Sequence, residues 1–138
     1  MRWVADAQEM AQAFSIRHEV FVLGQGVPEE LELDGLDAQC NHALATLNGA
    51  VVGTARLRTY HRGTAKVERV AVVEWARGHG LGAAIMTFLE AGAGKEHDTI
   101  VLNAQKAVVE FYLKLGYTCE GPEFDEAGIV HQRMFKRL

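Results

Sequence analysis

The chain has no surplus of positive charge: 14 Lys and Arg stand against 18 Asp and Glu, a formal net charge of -4. A nucleic-acid binder needs a basic footprint, so nucleic acid is not an expected partner. No apolar run approaches the ~18 residues of a membrane helix, and Met1-Arg2-Trp3-Val4-Ala5-Asp6 meets an acid before a signal-peptide core could form. The expectation is a soluble protein of the cytoplasm with no membrane partner. Cysteine is scarce too. Cys40 and Cys119 lie far apart without a C-x-x-C spacing, which argues against a disulfide framework or a zinc knuckle. The six histidines, at 18, 42, 61, 79, 97 and 131, show no metal-ligand spacing, so no metal is expected. Repeats and low-complexity segments are absent. What remains, 49% hydrophobic and 23% charged residues in 138, is ordinary globular usage for one domain, 1–138.

Asp6 followed by Glu9 is a capping-box pattern, and Met10, Ala13, Phe14, Arg17 and Phe21 recur at helical spacing, predicting a helix over 7–22. The stretch 24–35 is broken by glycine and proline and reads as an ordered loop with about one helical turn. From Asn41 the period becomes two. Residues 42–47, the pair Asn48-Gly49 and residues 50–60 form a strong hairpin signal, and a third strand is expected over 65–73. Leu81, Ala84, Ile85, Phe88 and Leu89 predict a helix ended by Gly92 and Gly94. A short buried strand over 99–102, a helix over 106–115 stopped by Gly116, and strands over 117–121 and 129–135 complete the order. This is an α/β (α+β) mixed sheet with one parallel crossover.

The sharpest local feature is Arg77-Gly78-His79-Gly80-Leu81-Gly82-Ala83, between a strand and an amphipathic helix. Unpaired N–H groups at a helix N-terminus, with the positive end of the macrodipole behind them, suit a phosphate or pyrophosphate; a tight turn needing glycine for positive φ is the plainer alternative. Gly78, Gly80 and Ala83 also satisfy G-x-G-x-x-G/A, but that fingerprint belongs after the first strand of a parallel half-fold, and here an antiparallel meander precedes it. A phosphate loop of the Gly-Lys-Ser/Thr kind is excluded because Gly94-Lys95 is followed by Glu96.

Arg77, Gly80 and Gly82 resemble the R/Q-x-x-G-x-G/A loop of the GNAT superfamily of acetyl-CoA-dependent N-acetyltransferases. The likeness extends to residues 16–22, Gln25, Val27-Pro28, Glu32, Asp34, residues 67–72 and 102–105, Phe111-Tyr112, residues 115–117, and 123–131 with Met134. Together these resemble the ElaA/YjcF-like branch over nearly the whole chain. Gly24 and Val130 depart from that branch, which usually carries Glu and Pro there, so no role is carried over for that glutamate.

The resemblance implies a GNAT-type acyl-CoA N-acyltransferase fold: a mostly antiparallel central sheet with one splayed parallel strand pair, flanked by helices. It implies acetyl-CoA as donor and a small-molecule or peptide amine as acceptor, and it leaves a homodimer open. Coenzyme contacts would come from the backbone of Val70, Ala71 and Val72, from Arg77, Gly78, His79, Gly80, Leu81, Gly82 and Ala83, and from Asn103. Tyr112 would protonate the departing thiolate. Glu68, read by strand alternation as sharing a face with Val70 and Val72, is the candidate base if burial raises its pKa towards neutrality; pairing with Arg69 or a neighbouring strand is the structural alternative. Asn103 could line the site or stitch the splayed strands. Glu32 and Asp34 are either part of a solvated loop or, as the resemblance implies, would attract a cationic amine; Gln105 would line the site, and His131 is either a satisfied structural histidine or a residue on the substrate side. A CoA-binding module without turnover and a transferase for longer acyl chains or protein amines are the rival readings.

Overall fold

The computed structural model describes residues 1–138. The helix α1 spans Ala7–Arg17, and its start follows from the capping pair: the Asp6 carboxylate accepts from the Glu9 N–H at 2.8 Å, while Glu9 reaches back to the Ala5 N–H at 2.9 Å. The predicted helix over 7–22 changes character after Arg17. His18–Leu23 is a π-helical turn, a widened geometry that often accompanies functional sites. A four-residue helix, α2 (Glu29–Glu32), is the single turn expected in the following loop.

The sheet contains β1 (Arg2–Trp3), β2 (Asn41–Leu47), β3 (Ala50–His61), β4 (Thr64–Val72), β5 (Thr99–Gln105), β6 (Thr118–Cys119), β7 (Phe124–Glu126) and β8 (Ile129–Arg137). Its order is β1-β2-β3-β4-β5-β8-β6, with β7 also on β8. All pairings are antiparallel except β4 with β5. Asn48 and Gly49 both adopt positive φ, 51° and 84°, the two-residue turn that matches strand twist. The crossover from β4 to β5 runs through α3 (Leu81–Ala93), and α4 (Val109–Lys114) follows β5.

Alternation along the strands divides the interior into two layers. Ala55 and Leu57 of β3, Ala65 and Val67 of β4 and Ile100, Leu102 and Ala104 of β5 pack with Ile85, Met86 and Leu89 of α3 and Tyr112 of α4. Val52 of β3 and Ala71 of β4 pack with Ile16 of α1 on the other face. The helix expected over 106–115 is a 3₁₀ turn followed by α4, the strand over 117–121 shortens to Thr118–Cys119, and that over 129–135 runs on to Arg137; two further differences have a plain cause. Gly92 does not end α3: a Cβ there would lie 2.6 Å from Trp3 Cζ2, so this glycine lets β1 approach, and Gly94 is the C-cap. The strand expected over 99–102 continues to Gln105, because β8 pairs with it along its whole length.

Candidate active site

The parallel pairing of β4 with β5 stops at Val67 and Leu102. Beyond it each strand keeps only its outer neighbour, β3 or β8, and the two diverge. The cause lies in β4. Arg56 pairs with Glu68 and Thr54 with Ala71, so Arg69 and Val70 together face one residue, and Arg69 takes φ 58°. Such a bulge bends its strand and increases the local twist. The opening is a cavity of about 780 Å³, lined on one side by residues 66–72 and on the other by residues 102–105.

The bulge also corrects the reading of Glu68. Val67 belongs to the core under α3 and Ala71 to the core under α1, so the facing is reversed across the bulge. Val70 packs against the α3-side core and Val72 touches both cores, whereas Glu68 sits across from Arg56 on the α1 side; Glu68 and Val70 do not share a face. Nor is its carboxyl raised towards neutrality. Burial pushes it up, but the Arg58 Nε–H, donating at 2.7 Å, and the charges of Arg56 and Lys66 outweigh burial and hold it below the usual carboxylate range. Its partners are Arg58, Arg56 and Lys66, not Arg69.

At the inner end of the cleft lies the glycine loop. Gly78 and Gly80 have φ 83° and 75°, and a Cβ built on either would meet nothing within 4 Å. The first helical bond of α3 runs from the Ala84 N–H to the Gly80 carbonyl, leaving the N–H groups of Leu81, Gly82 and Ala83 without helical acceptors. This is a cradle of donors beside open space, and it fits a pyrophosphate. Gly82 serves a second purpose, since a Cβ there would stand 3.1 Å from Phe111 Cζ; its absence lets α3 close on α4. The loop's own side chains brace it. Arg77 Nε–H donates to the Val72 carbonyl at 2.9 Å, and His79 Nδ1 lies 3.1 Å from the carbonyls of Ala76 and Arg77. The Val72 carbonyl is therefore already engaged.

Tyr112 lines the same cavity from α4. Its ring stands edge-on to Phe111 and Tyr117, with centroids 4.9 and 5.8 Å away, and burial pushes its phenol up to about 12, so the hydroxyl is protonated at neutral pH. Asn103 lines the cavity, and its side chain does not stitch β5 to β4. Gln105 instead spans the cleft: it exchanges two amide hydrogen bonds, 2.9 and 3.1 Å, with Gln25 at the end of the π-helical turn. His131 stands opposite Gln105 in the β5–β8 register.

Glu32 and Asp34 also line the cavity but are not free anions, contrary to the sequence expectation. Glu32, 4% exposed, accepts from Arg17 at 2.6 and 2.8 Å. Asp34 accepts from Arg56 at 2.6 and 3.0 Å, and Arg69 lies 3.3 Å away; the Arg56 hydrogen bonds hold its carboxyl far below the usual range. Arg17 and Arg56, 1% and 0% exposed, and Asp37, which binds both at 2.6 and 3.0 Å, were not among the residues expected at the site. The period-two pattern that sets Arg56 and Arg58 on the α1-side face of β3 was the available signal. The β7 strand and its Glu126 were missed as well: Ala127-Gly128, with φ 53° and 77°, makes a two-residue hairpin that the pattern of β8 alone does not disclose.

A splayed parallel pair, a donor-lined helix start and Tyr112 thus border one cavity. The chain belongs to the acetyltransferase (GNAT) domain family, whose model matches residues 5–138. It is 39% identical over 131 residues to the uncharacterized N-acetyltransferase YjcF of Bacillus subtilis, covering 94% of this chain and 93% of that one. An acyl-CoA N-acyltransferase from Pseudomonas aeruginosa superposes with a TM-score of 0.84 at 26% identity, over 99% of both chains. Escherichia coli ElaA superposes with a TM-score of 0.84 at 23% identity, over 98% of both. The fold and the ElaA/YjcF-like branch are as the sequence suggested, and the protein is an acyl-CoA-dependent N-acetyltransferase.

Proposed function

We propose that residues 1–138 form one N-acetyltransferase domain that moves an acetyl group from acetyl-CoA to a primary amine by direct attack on the thioester. The observation that carries this reading is that the bare N–H groups at the start of α3, the opened edge of β4 and the Tyr112 hydroxyl all border one cavity. The pyrophosphate lies against Gly78–Ala83, the pantetheine along Val70–Val72, and the thioester near Tyr112. The amine enters from the opposite side, between the first loop and the β7–β8 hairpin. A phenol with a pKa of about 12 remains a proton donor throughout the neutral range, and the thiolate it meets is the proton acceptor. Glu32 and Asp34 shape the acceptor wall through their arginines and do not provide its charge.

The test is thiol release from acetyl-CoA across a panel of primary amines and peptides. Amine-dependent release is expected. CoA binding without release for any amine would make the protein a CoA-binding module instead.

A further inference from the structure

Removing Glu68 from consideration leaves the ammonium without a proton acceptor, and the β7–β8 hairpin holds a group suited to that task. We propose that His131 is the general base, with Glu126 holding the incoming ammonium against it. This deepens the acetyl-transfer reading and rests on it.

Phe124, Glu126, Ile129 and His131 share one face of the hairpin: Phe124 pairs with His131 and Glu126 with Ile129. Glu126, Ile129 and His131 line the cavity. The ring is held on two sides. Phe124 stacks on it with planes 23° apart and centroids at 5.9 Å, and its Nδ1 lies 2.7 Å from the Ile129 carbonyl. A carbonyl can only accept, so Nδ1 carries the hydrogen, and in the neutral ring Nε2 is left with its lone pair. That nitrogen stands 3.7 Å from Glu126 Oε2. Two acceptors at that distance have no proton between them; a primary ammonium, with three N–H donors, satisfies both at once.

Glu126 is also the cavity carboxylate whose charge is free. Glu32, Asp34 and Glu68 each have an arginine nitrogen within 2.6 to 2.7 Å, whereas the Glu126 side chain is 57% exposed and its ion-pair contact is His131. One cation shares His131's face of β8, Arg133, opposite Asn103; its guanidinium lies over the Tyr60 ring, 5.4 Å from the centroid. From β5 come the neutral amides of Asn103 and Gln105. Across the cleft, Lys66 is paired with Glu68, and Arg69 with Glu32 and Asp34. At the lip, Lys106 pairs with Glu123 at 3.5 Å.

The step balances. Nε2 takes one proton from R–NH3+, giving imidazolium and a neutral amine. The amine lone pair forms the C–N bond at the thioester carbonyl; the C–S bond breaks with its electron pair on sulfur, which receives a proton from Tyr112. A second amine proton reprotonates the phenolate, and the imidazolium returns its proton to solvent. One amide, one thiol and one proton result.

The experiment uses the full chain, acetyl-CoA and whichever primary alkylamine of the panel gives the fastest thiol release. His131→Gln should lower kcat/KM at pH 7 by about 100-fold with CoA affinity and thermal midpoint held. Near pH ~10, where an alkylamine with a pKa of ~10.4 is substantially free, the defect should shrink to less than about 5-fold. Glu126→Gln, at an exposed position that does not threaten the fold, should raise KM for the amine by about 10-fold and leave kcat nearly unchanged. A His131→Gln defect of equal size at both pH values, or unchanged kinetics in either variant, would overturn the assignment. CoA binding without release from any amine in the unmodified protein would overturn the acetyl-transfer reading itself.

Discussion

The two walls of the cleft are made of opposite materials. On the β4 and first-loop side, Arg17, Arg56, Arg58 and Arg69 meet Glu32, Asp34, Asp37 and Glu68, so the wall is rich in charge and electrostatically closed. On the α3 side the wall contains almost no charge, but its N–H groups have no partners and its glycines leave open space. The difference separates shape from binding. Paired ions fix the first loop against the sheet, because Arg17, Arg56 and Arg69 join residues 32–37 to α1, β3 and β4, while unpaired donors reserve their capacity for a ligand. Four substitutions break or sharpen this contrast.

The largest effect is expected at Arg56, the wholly buried hub of the closed wall. Arg56→Met removes the shared partner of Asp34, Asp37 and Glu68. Breaking one side of a buried pair costs roughly 3–5 kcal/mol; here the lower end, about 3 kcal/mol, applies, because Arg69, Arg17 and Arg58 remain beside the three acids. Urea denaturation checks it. The pH dependence has a definite sign. The hydrogen bonds from Arg56 hold Asp34 below the usual range; for Asp37 and Glu68, burial pushes upward and the arginines outweigh it. Their stabilisation is thus complete above the unfolded carboxylate pKa values near ~4 and is lost as pH falls through them towards the folded values. Arg56→Met should flatten that acid-side decline.

On the open side, Tyr112→Phe should leave stability and CoA affinity in place, since burial is the sole cause of its raised pKa and no protein partner is stranded. A thiol with a pKa near ~8.5 already leaves tolerably at neutral pH, so kcat should fall by about 10- to 100-fold, the low end for general acid help. Thiol release under saturating acetyl-CoA measures it; an undiminished kcat would make the phenol a packing residue.

A smaller loss is expected at Gly80. A left-handed conformation costs a residue with a Cβ roughly 1–2 kcal/mol, so Gly80→Ala carries strain as well as a methyl in the donor cradle. Gly49→Ala is the matched control: its φ of 84° and open surroundings resemble those at Gly80, but it lies in the β2–β3 hairpin. Both should lose similar stability, and Gly80→Ala alone should weaken CoA binding, by about 10-fold, a change of ~1.4 kcal/mol. Equal CoA affinity in the two variants would remove the pyrophosphate from this loop.

The open wall was legible in the sequence and the closed wall was not, for a physical reason. Glycine at a helix start acts through local backbone geometry, so Arg77 to Ala83 discloses itself within seven residues. The closed wall is long-range: Arg17 meets Glu32 across 15 positions and Arg56 meets Asp34 across 22, and neither spacing follows a helical or strand period. The element order was readable from periodicity, but one inserted residue in β4 reversed the facing that period two assigns to Glu68 and Val70. Gln25 and Gln105, 80 positions apart, lay within the family pattern, yet their pairing follows only from the fold.

The smallest effect, and the most direct probe of the contrast, is expected at Glu68. It lies on the cleft but belongs to the closed wall: 14% exposed, 2.7 Å from Arg58, 3.4 Å from Arg56 and 3.7 Å from Lys66. A carboxyl held below its usual range by those cations is ionised throughout the neutral region and has no affinity left for an ammonium proton there. Glu68→Gln keeps an oxygen to accept from Arg58 and removes the charge. A general base is worth about 10²- to 10⁴-fold; the expected loss in kcat/KM is less than about 3-fold, with the acidic limb of the pH profile retained. Stability should fall modestly, because three cations lose one counter-charge, and the fall should shrink as pH drops below the unfolded value near ~4 and disappear only below the lower folded value, where the carboxyl is protonated in both states. If instead the rate drops 100-fold or more and the acidic limb vanishes, Glu68 takes the proton after all, and the closed wall opens during turnover.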